Sequence, residues 1–263
     1  MDQTLTKNLE TASEPILPAE SLDTFSWAPW LIAIGGSFLL FLALTWLVLT
    51  GEAQDFDRSC RDAMQAHAQS HTAVRHFFWL VTWVGGVVGL TLLATAGTLS
   101  MLVRKNYLLA AIWVLATAGG ALVNLGVKHS VNNPRPETET RDASVAWLTN
   151  PSYPSGHAMG SAIGVGMCLF LVLRFVKKKQ ARIRLASALI LLILLIGLSR
   201  IYLRAHWVTD VLGGFSLGAC WLILCLAIYV WARRTPIPDL RVLTTAGTEA
   251  IPELIPQAGR QEA

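Results

Sequence analysis

The sequence is poor in charged side chains. Asp, Glu, Lys and Arg make up 14% of its 263 residues, and apolar residues make up 53%. A soluble domain carries about 25% charged residues, so this composition argues against a large soluble helical core and favours an integral membrane protein. Regular alternation of apolar and polar residues is also missing, which argues against a membrane β-barrel. The four cysteines have no framework spacing. We expect them to be small buried side chains, except for one free thiol at Cys60 in a connecting segment.

The first 26 residues lack the basic start and short apolar core of a secretory signal peptide, so we expect the first apolar run to remain as a membrane helix. Six runs reach the length of about 20 mostly apolar residues that a transmembrane helix needs. They are Trp27–Thr50, Phe77–Val103, Tyr107–Val127, Ala158–Val176, Leu185–Leu203 and Trp207–Ala232. The fold class is therefore predicted to be all-α, a polytopic six-helix membrane bundle over residues 27–232 with soluble tails at 1–26 and 233–263.

Basic residues cluster after the second, fourth and sixth runs. They are Arg104, Lys105, Arg174, Lys177, Lys178, Lys179, Arg182, Arg184, Arg233, Arg234 and Arg241. With a cytoplasmic N-terminus and six crossings, all three clusters fall on the cytoplasmic side, as the positive-inside rule requires. Both tails are then predicted to be cytoplasmic. The lysine run at 177–179 ends a helix, which favours a topological role and contact with anionic lipids over nucleic-acid binding.

Three polar groups interrupt the apolar sequence. The first is Lys128 with Arg135-Pro136, the second is Pro154-Ser155-Gly156-His157, and the third is Ser199-Arg200 with His206 and Asp210. The same topology collects all three groups at the outer face of the membrane. Charges at membrane level in so apolar a chain need a partner or a function. The convergence of the three polar groups on one face predicts a single site that binds phosphate.

The third group predicts a nucleophile. His206 and Asp210 are spaced i, i+4 and would share one face of a helix. The carboxylate can accept a hydrogen bond from Nδ1–H, which leaves Nε2 free to attack phosphorus. Arg200 precedes this pair, and its guanidinium can bind two phosphate oxygens at once.

The other two groups predict phosphate ligands and an acid. Ser155 suits a helix N-cap, Gly156 allows close approach of the backbone, and free N–H groups at a helix start bind phosphate. His157 can protonate the leaving oxygen and later activate water. Lys128 and Arg135, together with Arg200, can neutralise a transferring phosphoryl group.

The three groups, in this order, resemble the signature of the type 2 phosphatidic acid phosphatase superfamily, the lipid phosphate phosphatases, with no departure at any signature position. The resemblance implies a six-helix membrane phosphatase that needs no metal or organic cofactor. It implies that His206 forms a phosphohistidine, Asp210 orients it and His157 is the general acid. The implied phosphate ligands are Lys128, Arg135, Ser155, Gly156 and Arg200.

Several alternatives stay open. The same residues would serve a phosphotransferase that passes the group to another lipid, and an anion transporter remains a distant possibility. The lipid can be phosphatidic acid, phosphatidylglycerol phosphate or an isoprenyl pyrophosphate such as undecaprenyl pyrophosphate, and the sequence does not choose among them or set an oligomeric state. His67 and His71, also spaced i, i+4, together with His76 are a weak candidate metal site. We expect a bacterial inner-membrane protein with its active site facing the periplasm or cell exterior.

Overall fold

The computed structural model describes residues 26–136 and 151–234, and within these ranges it contains helices and no β-strand. The helices are α1 (Ala28–Thr50), α2 (Gln54–Ser70), α3 (Thr72–Val84), α4 (Val87–Val103), α5 (Tyr107–Val131), α6 (Gly156–Phe175), α7 (Lys179–Tyr202) and α8 (Val208–Arg234). The predicted all-α class is confirmed. The predicted tails lie outside the described residues, apart from Ser26, Arg233 and Arg234.

Five of these helices are each long and apolar enough to cross a membrane, and α3 and α4, which meet at a bend of 42°, are together long and apolar enough to be a sixth candidate span. The prediction of one continuous transmembrane helix over Phe77–Val103 is wrong, because one helix ends at Val84 and the next begins at Val87. The break falls at Gly85 and Gly86, where the backbone of Gly86 becomes extended (ψ 174°). A Cβ on Gly86 would lie 3.3 Å from the carbonyl oxygens of Thr82 and Trp83, so the tight connection favours a residue without a side chain.

The ends of the helices differ from the ends of the predicted apolar runs mainly where polar residues extend a helix beyond its apolar part. Helix α7 begins at Lys179 rather than Leu185, since its basic first turns extend the helix toward water. Helix α5 continues to Val131 and contains a π-helical turn at Leu115–Gly119. The segment 51–76 contains α2, which is polar overall and buries one of its residues, Asp57.

Helix α8 is the centre of the bundle and packs most extensively against α1 and α6, while α6 also packs along α7. Small residues permit these close approaches, as expected for membrane helices. A Cβ on Gly213 of α8 would lie 2.5 Å from the Tyr153 ring, and one on Gly120 of α5 would lie 2.4 Å from Ile163. These contacts bring α8 against the segment before α6, and α5 against α6.

Many large apolar side chains face outward along the bundle. On α1, for example, Ile32 is 75% exposed and Leu39 is 66% exposed. Such a surface is unfavourable in water but matches the hydrocarbon of a bilayer. The interior is formed by a smaller apolar cluster that includes Leu109, Trp113 and Met167, each at most 1% exposed.

Candidate active site

The predicted site residues meet at one end of the bundle. Lys128 lies near the end of α5, and Arg135 follows it in a segment without regular secondary structure. Ser155, Gly156 and His157 form the start of α6. The remaining members come from the α7–α8 corner: Arg200 near the end of α7, His206 in the turn, and Asp210 in the first turn of α8. The structure thus brings together residues that lie up to 82 positions apart in the chain, from Lys128 to Asp210.

The α7–α8 corner is held by backbone hydrogen bonds. The N–H groups of Ala205 and His206 both donate to the carbonyl oxygen of Arg200, at 2.9 and 3.1 Å. Arg204 adopts a left-handed backbone conformation (φ 56°), which turns the chain sharply back toward the bundle. Helix α8 begins at Val208, so His206 precedes it, contrary to the expectation that His206 and Asp210 share a helix face. Their side chains nevertheless meet.

His206 and Asp210 form a buried hydrogen-bonded pair. The distance from Nδ1 of His206 to Oδ2 of Asp210 is 3.2 Å, and the two residues are 3% and 0% exposed. The same carboxylate oxygen accepts hydrogen bonds from the Ser152 hydroxyl and from the Trp207 N–H at 2.9 Å. Three donors around Oδ2 fix the direction of the carboxylate, and an ionised carboxylate requires Nδ1 of His206 to carry the proton. The lone pair of His206 is therefore on Nε2.

Arg135 faces the free nitrogen of His206. Its Nη1 lies 3.4 Å from Nε2 of His206 and donates to the carbonyl oxygen of Ala205 at 3.1 Å. Burial lowers the pKa of His206 to about 4, while the hydrogen bond and charge of Asp210 act in the opposite direction. The imidazole is then neutral at physiological pH. A neutral ring whose unprotonated Nε2 lies beside a guanidinium suits attack on an anionic phosphoryl group.

Arg200 is positioned by the broken span. Its Nη1 donates a hydrogen bond to Oγ1 of Thr82, a buried residue one turn before the break between α3 and α4. Its Nε is buried without a hydrogen-bond partner among the described residues, which leaves one donor for a ligand. His157 lies on the other side of the break, with Nε2 3.6 Å from the place a Cβ on Gly86 would take. His157 is also within electrostatic reach of Arg200, His206 and Arg135.

Lys128 is buried at 5% exposure and binds backbone. Its Nζ donates to the carbonyl oxygens of Pro151 and Ser152, at 2.6 and 3.3 Å. These bonds hold the segment whose Ser152 side chain reaches Asp210. Of the three N–H donors of the ammonium group, one remains for a phosphate oxygen. Lys128 therefore supports the site's framework in addition to its predicted role.

Ser155 is the N-cap of α6, with its Oγ accepting from the Ala158 N–H at 3.5 Å. Its own N–H donates to the carbonyl oxygen of Asp210 at 2.9 Å, which ties the starts of α6 and α8 together. A Cβ on Gly156 would lie 3.3 Å from Oδ1 of Asn124, so this glycine fits closely against α5. The start of α6 therefore presents its N–H groups beside the His206–Asp210 pair.

Sequence reasoning missed several residues that hydrogen-bond to the predicted site residues or to their immediate neighbours. Thr82 binds Arg200, Ser152 binds Asp210, and Asp57 binds Thr209 through two hydrogen bonds. Ser152 could have been found, since it lies two residues before the second polar group. Thr82 is one of four threonines in the run Phe77–Val103, so the sequence does not distinguish it. Asp57 gives none, because it resembles the other acidic residues of a polar helix.

A cavity of about 130 Å³ lies beside the site, between α1, α2 and the segment before Arg135. Pro134 and Trp207, the sequence neighbours of Arg135 and His206, form one wall. The indole N–H of Trp207 donates to the carbonyl oxygen of Pro134 at 2.9 Å, which closes that wall. The guanidinium of Arg61 stacks over the Trp207 ring at 5.4 Å.

The three histidines considered as a metal site do not form one. His67 and His71 stack in parallel at 4.0 Å, and Nδ1 of His67 is 2.9 Å from the hydroxyl of Tyr202. Across residues 26–136 and 151–234, no group of three or more His, Cys, Asp or Glu side chains is arranged to hold a metal ion.

Comparison with known proteins gives a consistent result. The family model described as the PAP2 superfamily matches residues 107–234, which include all three polar groups. Phosphatidylglycerophosphatase B of Bacillus subtilis is 30% identical over 191 residues, which cover 69% of this chain and 87% of that protein. The crystal structure described as the first transmembrane PAP2 type phosphatidylglycerolphosphate phosphatase from Bacillus subtilis superposes with a TM-score of 0.65 at 25% identity. It covers 74% of this chain and 95% of the solved chain.

Proposed function

We propose that this chain, which belongs to the PAP2 superfamily and is a lipid phosphatase of the bacterial inner membrane, acts through a phosphohistidine at His206. The observation that carries the proposal is the buried His206–Asp210 pair, with Nδ1 and Oδ2 3.2 Å apart and Nε2 turned to Arg135. A histidine held in this tautomer beside a cation has the requirements of a phosphoryl acceptor.

The reaction has two steps. In the first, Nε2 of His206 attacks phosphorus, the bond from phosphorus to the lipid oxygen breaks, and His157 gives its proton to that oxygen. In the second, water attacks the phosphohistidine, His157 takes the water's proton, and inorganic phosphate leaves with His206 restored. Arg135, Arg200 and Lys128 neutralise the equatorial oxygens, assisted by the N–H groups at the start of α6. No step requires a metal or an organic cofactor.

The membrane orientation is a second part of the proposal. Trp27 at the start of α1 and Trp231 near the end of α8 lie 6.4 Å apart, so the start of α1 and the end of α8 are on the side opposite the site. Exposed Arg104 after α4 and Lys177 between α6 and α7 belong to that opposite side, which the positive-inside rule makes cytoplasmic. The site then faces the periplasm or cell exterior, residues 27–232 form one membrane domain, and the tails 1–26 and 233–263 are cytoplasmic.

Cysteine labelling can test the orientation. Cys60 lies on α2 at the face of the site, whereas the other three cysteines lie within α6 and α8. A membrane-impermeant maleimide is expected to label Cys60 in spheroplasts, and Cys60→Ser should abolish the label. Lys177→Cys in the Cys60→Ser background should react in inside-out vesicles and not in spheroplasts. The reverse pattern would place the site in the cytoplasm.

Phosphate release from a panel of lipids tests the activity. We expect purified protein in EDTA to release phosphate from at least one of phosphatidic acid, phosphatidylglycerol phosphate and undecaprenyl pyrophosphate. Phosphatidylglycerol phosphate should be tested first, because the similar sequence and the similar solved structure are both named for it. Vanadate should inhibit as a mimic of the transferring phosphoryl group. Activity that disappears in EDTA would contradict the mechanism, and transfer of label to an added acceptor lipid in place of water would make the protein a phosphotransferase.

A further inference from the structure

The carboxylate of Asp57 on α2 is buried although its neighbours on the helix are in water. Asp57 is 7% exposed, whereas the side chains of Asp55 and Asp62 are 99% and 62% exposed. Removing a carboxylate from water is costly unless it is hydrogen-bonded. Asp57 must therefore have a partner that repays this cost.

That partner is Thr209 in the first turn of α8. Oδ1 of Asp57 accepts the Thr209 N–H at 3.1 Å, and Oδ2 accepts the Thr209 hydroxyl at 2.6 Å. Thr209 is itself 3% exposed. The first N–H groups of a helix have no partner within the helix, and a negative charge is favourable at this end. Asp57 therefore caps α8 from another helix, across 152 positions of sequence.

Thr209 is the residue before Asp210. The capped first turn of α8 carries the carboxylate on which His206 depends, and the same turn receives the Trp207 N–H. A rotation of this turn would move Oδ2 of Asp210 away from Nδ1 of His206. We propose that Asp57 is a positioning residue for the reaction, acting through Thr209 to hold the Asp210 carboxylate in register with His206. This inference rests on the proposed function.

The electrostatics fit a positioning role. Burial raises the pKa of Asp57, the hydrogen bonds from Thr209 oppose that rise, and the negative charge of Asp210 adds to it. Two carboxylates thus share the start of one helix. Since a buried ionic group is seldom the most stable solution for packing alone, its retention beside Asp210 favours a role in geometry.

The test compares variants of both partners. Asp57→Ala is expected to lower kcat about 10- to 100-fold, the usual effect of a displacement near 1 Å at reacting groups, while KM stays within about threefold. Thr209→Val removes the hydroxyl at similar volume and should lower kcat by a smaller factor than Asp57→Ala does. Thr209→Ser keeps the hydroxyl and should restore kcat to nearly that of the wild type. Asp57→Asn can still hydrogen-bond to Thr209, so its kcat should exceed that of Asp57→Ala.

Asp55→Ala is the matched control, because it removes an exposed carboxylate from the same helix and should leave kcat unchanged. The melting temperature in detergent is recorded for each variant. If Asp57→Ala does not fold, the inference is tested with Asp57→Asn, Thr209→Val and Thr209→Ser. Wild-type kcat in both Asp57→Ala and Thr209→Val, an effect confined to KM, or equal losses in Thr209→Ser and Thr209→Val would overturn the inference. A wild-type protein inactive on every lipid would overturn the proposed function and this inference with it.

Discussion

Replacing His206 with alanine is expected to reduce kcat for lipid phosphate hydrolysis by more than about 10⁴-fold, as removal of a covalent nucleophile does in other hydrolases. Alanine offers no atom that can accept the phosphoryl group, and the cations that remain can bind substrate but cannot form the intermediate. KM should change much less than kcat. The measurement is phosphate release in EDTA at saturating lipid, with wild type and variant purified in parallel.

His129→Ala is the matched control for that experiment. His129 is exposed and adjacent to Lys128, yet it lies outside the three polar groups. It should keep nearly full activity. A His206→Ala protein that retained a tenth or more of wild-type kcat while folded would show that phosphorus is attacked by another group, and the proposed two-step route would be wrong.

Replacing Asp210 with asparagine is expected to lower kcat by about 10³- to 10⁴-fold, the size of the effect when an orienting carboxylate is made neutral in a histidine-based site. Oδ2 of Asp210 accepts from His206, Ser152 and Trp207. An amide lacks the negative charge that favours a proton on Nδ1 of His206. Where its NH₂ group faces His206, it favours the tautomer with the proton on Nε2, which cannot attack phosphorus.

Asp62→Asn provides the comparison for Asp210→Asn, since the Asp62 side chain is 62% exposed and forms an ion pair with its neighbour Arg61. Its kcat should match the wild type. If Asp210→Asn lost folded protein in proportion to activity, with a normal kcat per folded molecule, the carboxylate would have a structural role alone.

The sequence predicts the local features of this protein well because each depends on neighbouring residues. The apolar run at Trp27–Thr50 becomes α1 at Ala28–Thr50 with only one residue of difference. Ser155 acts as the expected N-cap of α6, and the i, i+4 spacing of His206 and Asp210 brings their side chains into contact even though α8 begins after His206.

Features that depend on distant contacts could not be predicted. The break between α3 and α4 was missed because Gly85 and Gly86 have the composition of a helix-packing pair, and only the surrounding structure reveals the turn. The bond from Arg200 to Thr82 joins residues 118 positions apart, and no local pattern distinguishes Thr82 from other threonines in apolar runs. Asp57 could not be identified for the same reason, since its partner Thr209 lies 152 positions away in the chain.

Covalent capture of the phosphoryl group on His206 tests the central claim most directly. Wild-type protein is mixed in EDTA with a lipid that carries a radiolabelled terminal phosphate, quenched in alkaline detergent within milliseconds to seconds, and digested for peptide mapping. The account predicts alkali-stable, acid-labile label on the peptide that contains His206, formed and lost fast enough to account for kcat, and none in His206→Ala. Steady release of phosphate by the wild type with no label on His206 at any time would contradict it.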